Sequence, residues 1–213
     1  MESPMEMSIA LLHHTARRLV LAVMLTAAPL AASGQPQAPP PPAPAGPIEY
    51  RVLATNKTST MQKELNEAAE AGFRFDDFMG GETAFGGSEV VAIVSRLGTA
   101  PSRWAYKLLA TSKTSTMQKE LQEAGDAGFE YKDQSVFAST FGGREVVLIL
   151  ERDKDAEPQS WQYNLVATSK TSTLQKELSE AGAAGYEMVG LTVGTTALGG
   201  NEIVAITRRA RAR

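Results

Sequence analysis

The residues best suited to hold a ligand lie in a four-residue segment that the chain contains three times. The segment is Lys-Thr-Ser-Thr, and each copy directly precedes an apolar stripe at helical spacing. Hydroxyl groups, a lysine and the free backbone N–H groups of a helix N-terminus together suit a phosphate, sulfate or carboxylate. The candidate anion-binding residues are Lys57, Thr58, Ser59 and Thr60, then Lys113, Thr114, Ser115 and Thr116, and finally Lys170, Thr171, Ser172 and Thr173.

The same segment has a second interpretation as helix capping. Ser59 is followed three residues later by Gln62, which is the spacing of a capping box. Ser115 with Gln118 and Ser172 with Gln175 repeat it. The segment lacks the GxxxxGK[ST] pattern of a phosphate loop, so nucleotide hydrolysis is not indicated. We favour capping and keep anion binding as the alternative.

The composition argues against most catalytic chemistry. The chain has no cysteine, and its two histidines, His13 and His14, lie in a segment that we expect to be removed. This excludes thiol nucleophiles, Cys/His zinc sites and Ser-His-Asp triads from the mature protein. No pair of acids is spaced for general acid–base catalysis, and the acidic clusters lack the spacing of a calcium loop. We therefore expect no enzyme activity, no cofactor and no metal. The formal charge of −3 gives no reason to expect nucleic-acid binding.

The two ends of the chain are not part of the expected fold. Residues 1–34 combine basic Arg17 and Arg18, an apolar run and small residues before Gln35, which together predict a secretory signal peptide. The apolar run is short for a membrane span, although an uncleaved anchor is the alternative. Residues 35–47 form a proline-rich linker. Residues 210–213 form a basic tail. We expect a periplasmic or secreted protein that meets a membrane only through its signal segment before cleavage.

Three copies of one unit fill the remainder, over residues 48–96, 104–152 and 161–209. Each copy begins with apolar residues at a period of two, which predicts a strand. A helical stripe follows, and a glycine suited to a left-handed C-terminal position ends it. The residues in the first copy are Ile48, Tyr50, Val52 and Ala54 for the strand, Met61, Leu65 and Ala68 for the helix, and Gly72.

The last two strands of each copy differ in polarity. The second strand is polar and varies between copies, as expected at a sheet edge. The third strand (VVAIV, VVLIL or IVAI) is apolar without alternation, so it should be central and covered on both faces. The predicted fold is α+β, with three tandem β-α-β-β repeats, each a three-stranded sheet with one helix. We expect the repeats to pack together with helices outward and sheets toward a shared core.

This order of elements resembles a group of small bacterial β-α-β-β domains of unknown function. Their signature has the form Leu-Asn-x-x-Gly-x-x-Gly-Trp-Glu-Leu-Val, followed by a hairpin. The matching segments run from Leu65 to Phe75 and from Leu178 to Val189, with Tyr186 in place of the tryptophan. The resemblance covers almost all of each copy. It implies the fold and no activity, because that group has no established catalytic residues.

The functional expectation follows by exclusion. We expect an exported, non-enzymatic repeat protein whose role is protein–protein or cell-envelope interaction, with an unknown protein or envelope component as partner. The alternative is a small-anion sensor that uses the Lys-Thr-Ser-Thr helix N-termini.

Overall fold

The computed structural model describes residues 46–82, 88–138, 144–196 and 198–211. The predicted signal peptide, residues 35–45 of the linker, the Gly-Gly turns of the first two repeats and residues 212–213 lie outside these ranges. No helix in the described ranges is long and apolar enough to cross a membrane. The elements are β1 (Ile48–Thr55), α1 (Thr58–Glu70), β2 (Arg74–Glu82), β3 (Ser88–Leu97), β4 (Trp104–Thr111), α2 (Thr114–Asp126), β5 (Glu130–Ala138), β6 (Arg144–Asp153), β7 (Trp161–Thr168), α3 (Thr171–Ala183), β8 (Glu187–Thr195) and β9 (Asn201–Ala210).

The third strand of each repeat is the central one, as predicted. The sheet orders are β1-β3-β2, β4-β6-β5 and β7-β9-β8, and all pairs are antiparallel. In β6, Val146 and Leu148 contact one cluster of apolar side chains, while Val147 and Ile149 contact another. The absence of apolar alternation in this strand therefore reflects burial of both faces.

Each helix ends at the glycine that the sequence indicates. Gly72 has a φ of +85°, and its N–H donates to the Ala69 carbonyl at 2.9 Å. The Phe73 N–H donates to the Ala68 carbonyl at 3.0 Å, which completes a Schellman-type ending. Gly128 and Gly185 adopt the same positive φ.

An arginine at the end of each third strand stabilises this helix ending. Arg96 donates to the Ala71 carbonyl at 2.7 Å, and its guanidinium carbon lies 4.6 Å from the centroid of the Phe73 ring. Arg152 and Arg209 make the equivalent hydrogen bonds in the other repeats. The cation thus contacts the negative end of the helix and the face of an aromatic ring together.

The helix N-termini differ from the predicted capping box. The residues that precede the helices are Lys57, Lys113 and Lys170, and no side chain makes a capping hydrogen bond at these positions. The serines lie one residue inside the helix, where they are exposed. The prediction was wrong because each helix begins before the serine, with the lysine and not the serine at the N-cap position. In the first two repeats the glutamine binds the neighbouring repeat instead.

Helices α1 and α2 lie between sheets, whereas α3 packs on its own sheet alone, so the prediction that all helices face outward was wrong. One cluster joins Met61 and Leu65 of α1 to Tyr106, Val147 and Ile149 of the second sheet. The next cluster joins α2 to the third sheet in the same way, through Met117, Leu121, Tyr163, Val204 and Ile206. The repeats therefore stack as alternating sheets and helices.

Small residues on the helices permit this close approach. A Cβ atom at Gly125 of α2 would lie 2.5 Å from the Trp161 carbonyl oxygen and 2.8 Å from a ring carbon of Tyr163. A side chain at this position would push β7 away from α2. In α1 the equivalent residue is Ala69, which is buried.

Replacing Leu121 with alanine should destabilise the full chain by about 2–5 kcal/mol, because this side chain is buried between two sheets. The matched change Leu178→Ala alters the half-buried equivalent on α3, so the loss should be clearly smaller. Urea denaturation followed by circular dichroism measures both. Equal losses at the two positions would contradict one-sided packing of α3.

Candidate functional site

Helix amide side chains bind the free edge of the next repeat's first strand. The Leu108 N–H donates to Gln62 Oε1 at 2.9 Å. Asn66 accepts from the Tyr106 N–H and donates to the Tyr106 carbonyl, both at 2.9 Å. An edge strand exposes unpaired backbone groups, and these amides satisfy them where no further strand is present. Gln118 and Gln122 bind the edge of β7 in the same way.

A buried tyrosine hydroxyl adds a second connection at each interface. The Tyr106 hydroxyl accepts from the Phe75 N–H and donates to Glu151 Oε2, both at 2.8 Å. The Tyr163 hydroxyl accepts from the Tyr131 N–H at 2.6 Å and donates to the Phe129 carbonyl at 3.2 Å. Burial raises the pKa of Tyr106, and it raises the pKa of Tyr163 to about 12. Both phenols therefore remain protonated donors at neutral pH.

Ion pairs link neighbouring repeats with opposite polarity at the two interfaces. At the first, Arg74 of β2 lies 2.8 Å from Glu151 of β6, and this hydrogen bond raises the pKa of Arg74. At the second, Glu130 of β5 lies 2.8 Å from Arg208 of β9. The charge at each interface is therefore opposite to the one that it meets on the neighbouring repeat. Glu151 is only 3% exposed. Removing Arg74 would take away the closest cation of the buried Glu151 carboxylate and leave it with the Tyr106 hydroxyl and with Lys132 at 3.4 Å.

Two carboxyl groups meet where β2 and β5 run side by side. Burial raises the pKa of Asp133, and the adjacent carboxyl of Asp77 raises it further. Each carboxylate accepts a hydrogen bond from the backbone N–H of the next residue in its own strand. No group of three or more acidic, histidine or cysteine residues that could hold a metal occurs in the described part of the chain.

An open groove of about 720 Å³ lies beside the connection between the second and third repeats. Both tryptophans line it, together with charged residues of both signs. Arg74 lies 4.0 Å from the Trp104 ring centroid, and Arg208 lies 4.5 Å from that of Trp161. Both rings also contact the apolar clusters between repeats. These contacts give both tryptophans a packing role.

The candidate anion-binding residues lie at the three helix N-termini, as their spacing predicts. All three lysines are exposed, and so are all three serines. The second N-terminus differs from the others, because the Thr114 hydroxyl donates to the carboxylate of Glu202 from the third repeat. None of the described hydrogen bonds joins one of these segments to another.

The two ends of the stack leave their repeat-binding surfaces uncovered. We call the outer side of the first sheet the sheet end, formed by Ile48, Tyr50, Val52, Val91 and Ile93. Tyr50 is 65% and Val52 63% exposed, whereas the equivalent Tyr106 and Tyr163 are each 3% exposed. We call the opposite surface the helix end, formed by Leu174, Gln175, Leu178, Ser179, Ala181, Met188, Leu191 and Val193.

Periodicity did not reveal the helix amides and buried tyrosines as interface residues. A comparison between the copies does indicate them. The first two helices carry two amides four residues apart (Gln62 with Asn66, Gln118 with Gln122), whereas the last helix carries Gln175 with Ser179. The partner of each amide lies about 40 residues away, so local spacing does not identify it.

Comparison with protein-family models, with curated proteins and with solved structures finds no match for this chain. The resemblance to small bacterial domains of unknown function therefore stays a prediction.

Replacing Tyr106 with phenylalanine should lower the free energy of unfolding by about 1–3 kcal/mol, because Glu151 and the Phe75 N–H each lose a buried partner. Tyr50→Phe is the matched control at the uncovered sheet end and should change stability by less than about 0.5 kcal/mol. Urea denaturation at pH 7 tests both variants. Similar effects of the two changes would argue against a structural role for the buried hydroxyl.

Proposed function

We propose that this chain is an exported, non-enzymatic repeat protein that acts through contacts with another protein or a component of the cell envelope. The observation that carries the proposal is the sheet end. Ile48, Tyr50 and Val52 are exposed in the first repeat, whereas the equivalent tyrosines of the second and third repeats are buried. The equivalents of Ile48 and Val52 in those repeats are partly buried against the apolar clusters. Contiguous exposed apolar surface of this kind is typical of interaction sites.

The chemistry of the other surfaces supports the same proposal. Acids and arginines pair with one another between repeats, including the buried Glu151 with Arg74, which gives each a structural role. The groove contains the ion pair of Arg74 with Glu151. A binding role fits these arrangements better than catalysis, because the charged groups are engaged in holding the stack together.

The proposal predicts that partner capture depends on the sheet end. The immobilised full chain should enrich at least one component of an envelope fraction, and Val52→Glu should remove that component by placing a charge in an apolar contact. Lys176→Glu serves as the control, because this side chain is 77% exposed and is not part of the sheet end or the helix end. Quantitative mass spectrometry of the bound fraction gives the readout. Identical captured sets for wild type and Val52→Glu would refute this use of the sheet end.

A second candidate function is a small-anion sensor at the Lys-Thr-Ser-Thr segments. The observation that favours it is the second helix N-terminus, where a carboxylate of the protein itself, that of Glu202, accepts a hydrogen bond from Thr114. The equivalent first-turn hydroxyls are Thr58 and Thr171. A helix N-terminus attracts anions through its N–H groups and its dipole.

The sensor hypothesis predicts a rise in the melting temperature of the full chain with sulfate or phosphate but not with chloride at matched ionic strength. Replacing Lys57, Lys113 and Lys170 with alanine should abolish this rise, because the candidate site loses its cations. Lys63→Ala, at an exposed position within α1, is the control. A rise that survives the triple substitution would exclude these segments as the binding site.

A further inference from the structure

We propose that the chain assembles head to tail, with the helix end of one molecule bound to the sheet end of a second copy. This rests on the proposed function and names the partner as another copy of this chain. The geometry continues the contact that α1 makes with the second sheet and α2 makes with the third. The same contact, repeated between molecules, would bury both uncovered surfaces.

The apolar surfaces of the two ends correspond position by position. At the internal interfaces a helix covers a tyrosine of the first strand and two residues of the central strand, Tyr106 with Val147 and Ile149 in the second sheet. In the first sheet the equivalents are Tyr50, Val91 and Ile93, which lack such a cover among the described residues. On α1 and α2 four residues each are buried, whereas on α3 only Ala181 is.

The polar groups correspond as well. Gln118 donates to the Tyr163 carbonyl at 3.0 Å and accepts from the Leu165 N–H at 2.8 Å. The equivalent glutamine of α3, Gln175, is exposed, and the equivalent strand groups are those of Tyr50 and Val52. Met188 takes the place of Phe75 and Tyr131, whose N–H groups donate to the tyrosine hydroxyl of the next repeat. The Tyr50 hydroxyl of a second copy would meet the Met188 N–H.

The helix end is also open to the approach of a strand. A Cβ atom at Gly125 of α2 would collide with β7, whereas the equivalent Gly182 of α3 has nothing within 4 Å of that position. Retaining the small residue leaves room for the first strand of another molecule. Gly185, at the end of α3, is equally open, whereas Gly72 contacts the backbone of Ala100.

Two differences make the contact between molecules weaker than the internal ones. Ser179 replaces the second amide, and its hydroxyl donates to the Gln175 carbonyl of its own helix at 2.8 Å. Glu187 takes the place of Arg74 and Glu130 on one molecule. Ser95 takes the place of Glu151 and Arg208 on the other, so no ion pair forms at this position. The assembly should therefore be reversible and concentration-dependent. Because the two surfaces are unlike, it can extend to chains of molecules.

Analytical ultracentrifugation of the full chain, and in parallel of the chain from Gln35, tests the proposal at concentrations up to about 1 mM. The wild type should sediment faster as its concentration rises. Val52→Glu at the sheet end and Ser179→Glu at the helix end should each remain monomeric, because each blocks one of the two surfaces. Circular dichroism confirms that the variants are folded. Lys176→Glu is the control, since its equivalent Lys119 stays 79% exposed on a covered helix.

A mixture of the two blocked variants distinguishes head-to-tail contact from a symmetric one. Each variant keeps one intact and complementary surface, so the mixture should form one-to-one dimers and nothing longer. Ser179→Gln restores the residue type found at Gln122 and should tighten association by about fivefold, as expected for one added hydrogen bond.

Three outcomes would overturn the proposal. They are a wild type that is monomeric throughout, association that neither blocking variant reduces, and Ser179→Glu that still dimerises through its sheet end. A monomeric wild type whose capture of an envelope component still depends on Val52 would leave the proposed function standing and change only the partner. A monomeric wild type whose capture does not depend on Val52 would refute both the assembly and the proposed use of the sheet end.

Discussion

The structure depends on the free edge of the first strand in each repeat. A three-stranded sheet leaves its outer strand with unpaired backbone groups and leaves one apolar face uncovered. The preceding helix resolves both problems together, because its amides bind the edge while its leucine and methionine cover the face. The repeat is therefore not complete within its own 50 or so residues. Its natural unit of stability is the interface between one helix and the following sheet.

This dependence explains why the helix carries more small and amide residues than simple amphipathicity requires. α2 buries Met117 and Leu121 as a single stripe, yet Gly125 must also let β7 approach its backbone. An amide is suited to the adjoining positions because it donates and accepts at one strand residue, as Asn66 does at Tyr106. A charged side chain would satisfy only half of that pattern.

Much of the fold follows from local signals in the sequence. The glycine after each helix, the strand at the start of each copy and the uniform apolarity of β6 each predict what the structure contains, because each depends on the nearby chain. The alternation of β1 predicts the strand but not the exposure of Ile48, Tyr50 and Val52. The layer order does not follow from them. Tyr50, Tyr106 and Tyr163 occupy the same position, but only the last two are buried, since burial depends on a repeat that precedes them. The role of the helix glutamines also depends on a neighbouring repeat, as Gln62 binds Leu108 and not its own helix. The candidate anion-binding segments were placed at helix N-termini by local spacing, but the contact of Glu202 with Thr114 joins residues 88 positions apart.

The reversed ion pairs suggest how a stack of near-identical units keeps its order. If the first helix packed on the third sheet, Arg74 would face Arg208, and two like charges would lie side by side. Such a pairing is disfavoured, because like charges in contact repel each other. The apolar contacts are interchangeable between repeats, whereas these charges are not. Near-identical helices can therefore supply the same apolar contact surface at each step, and the two inter-repeat ion pairs favour one sheet for each helix.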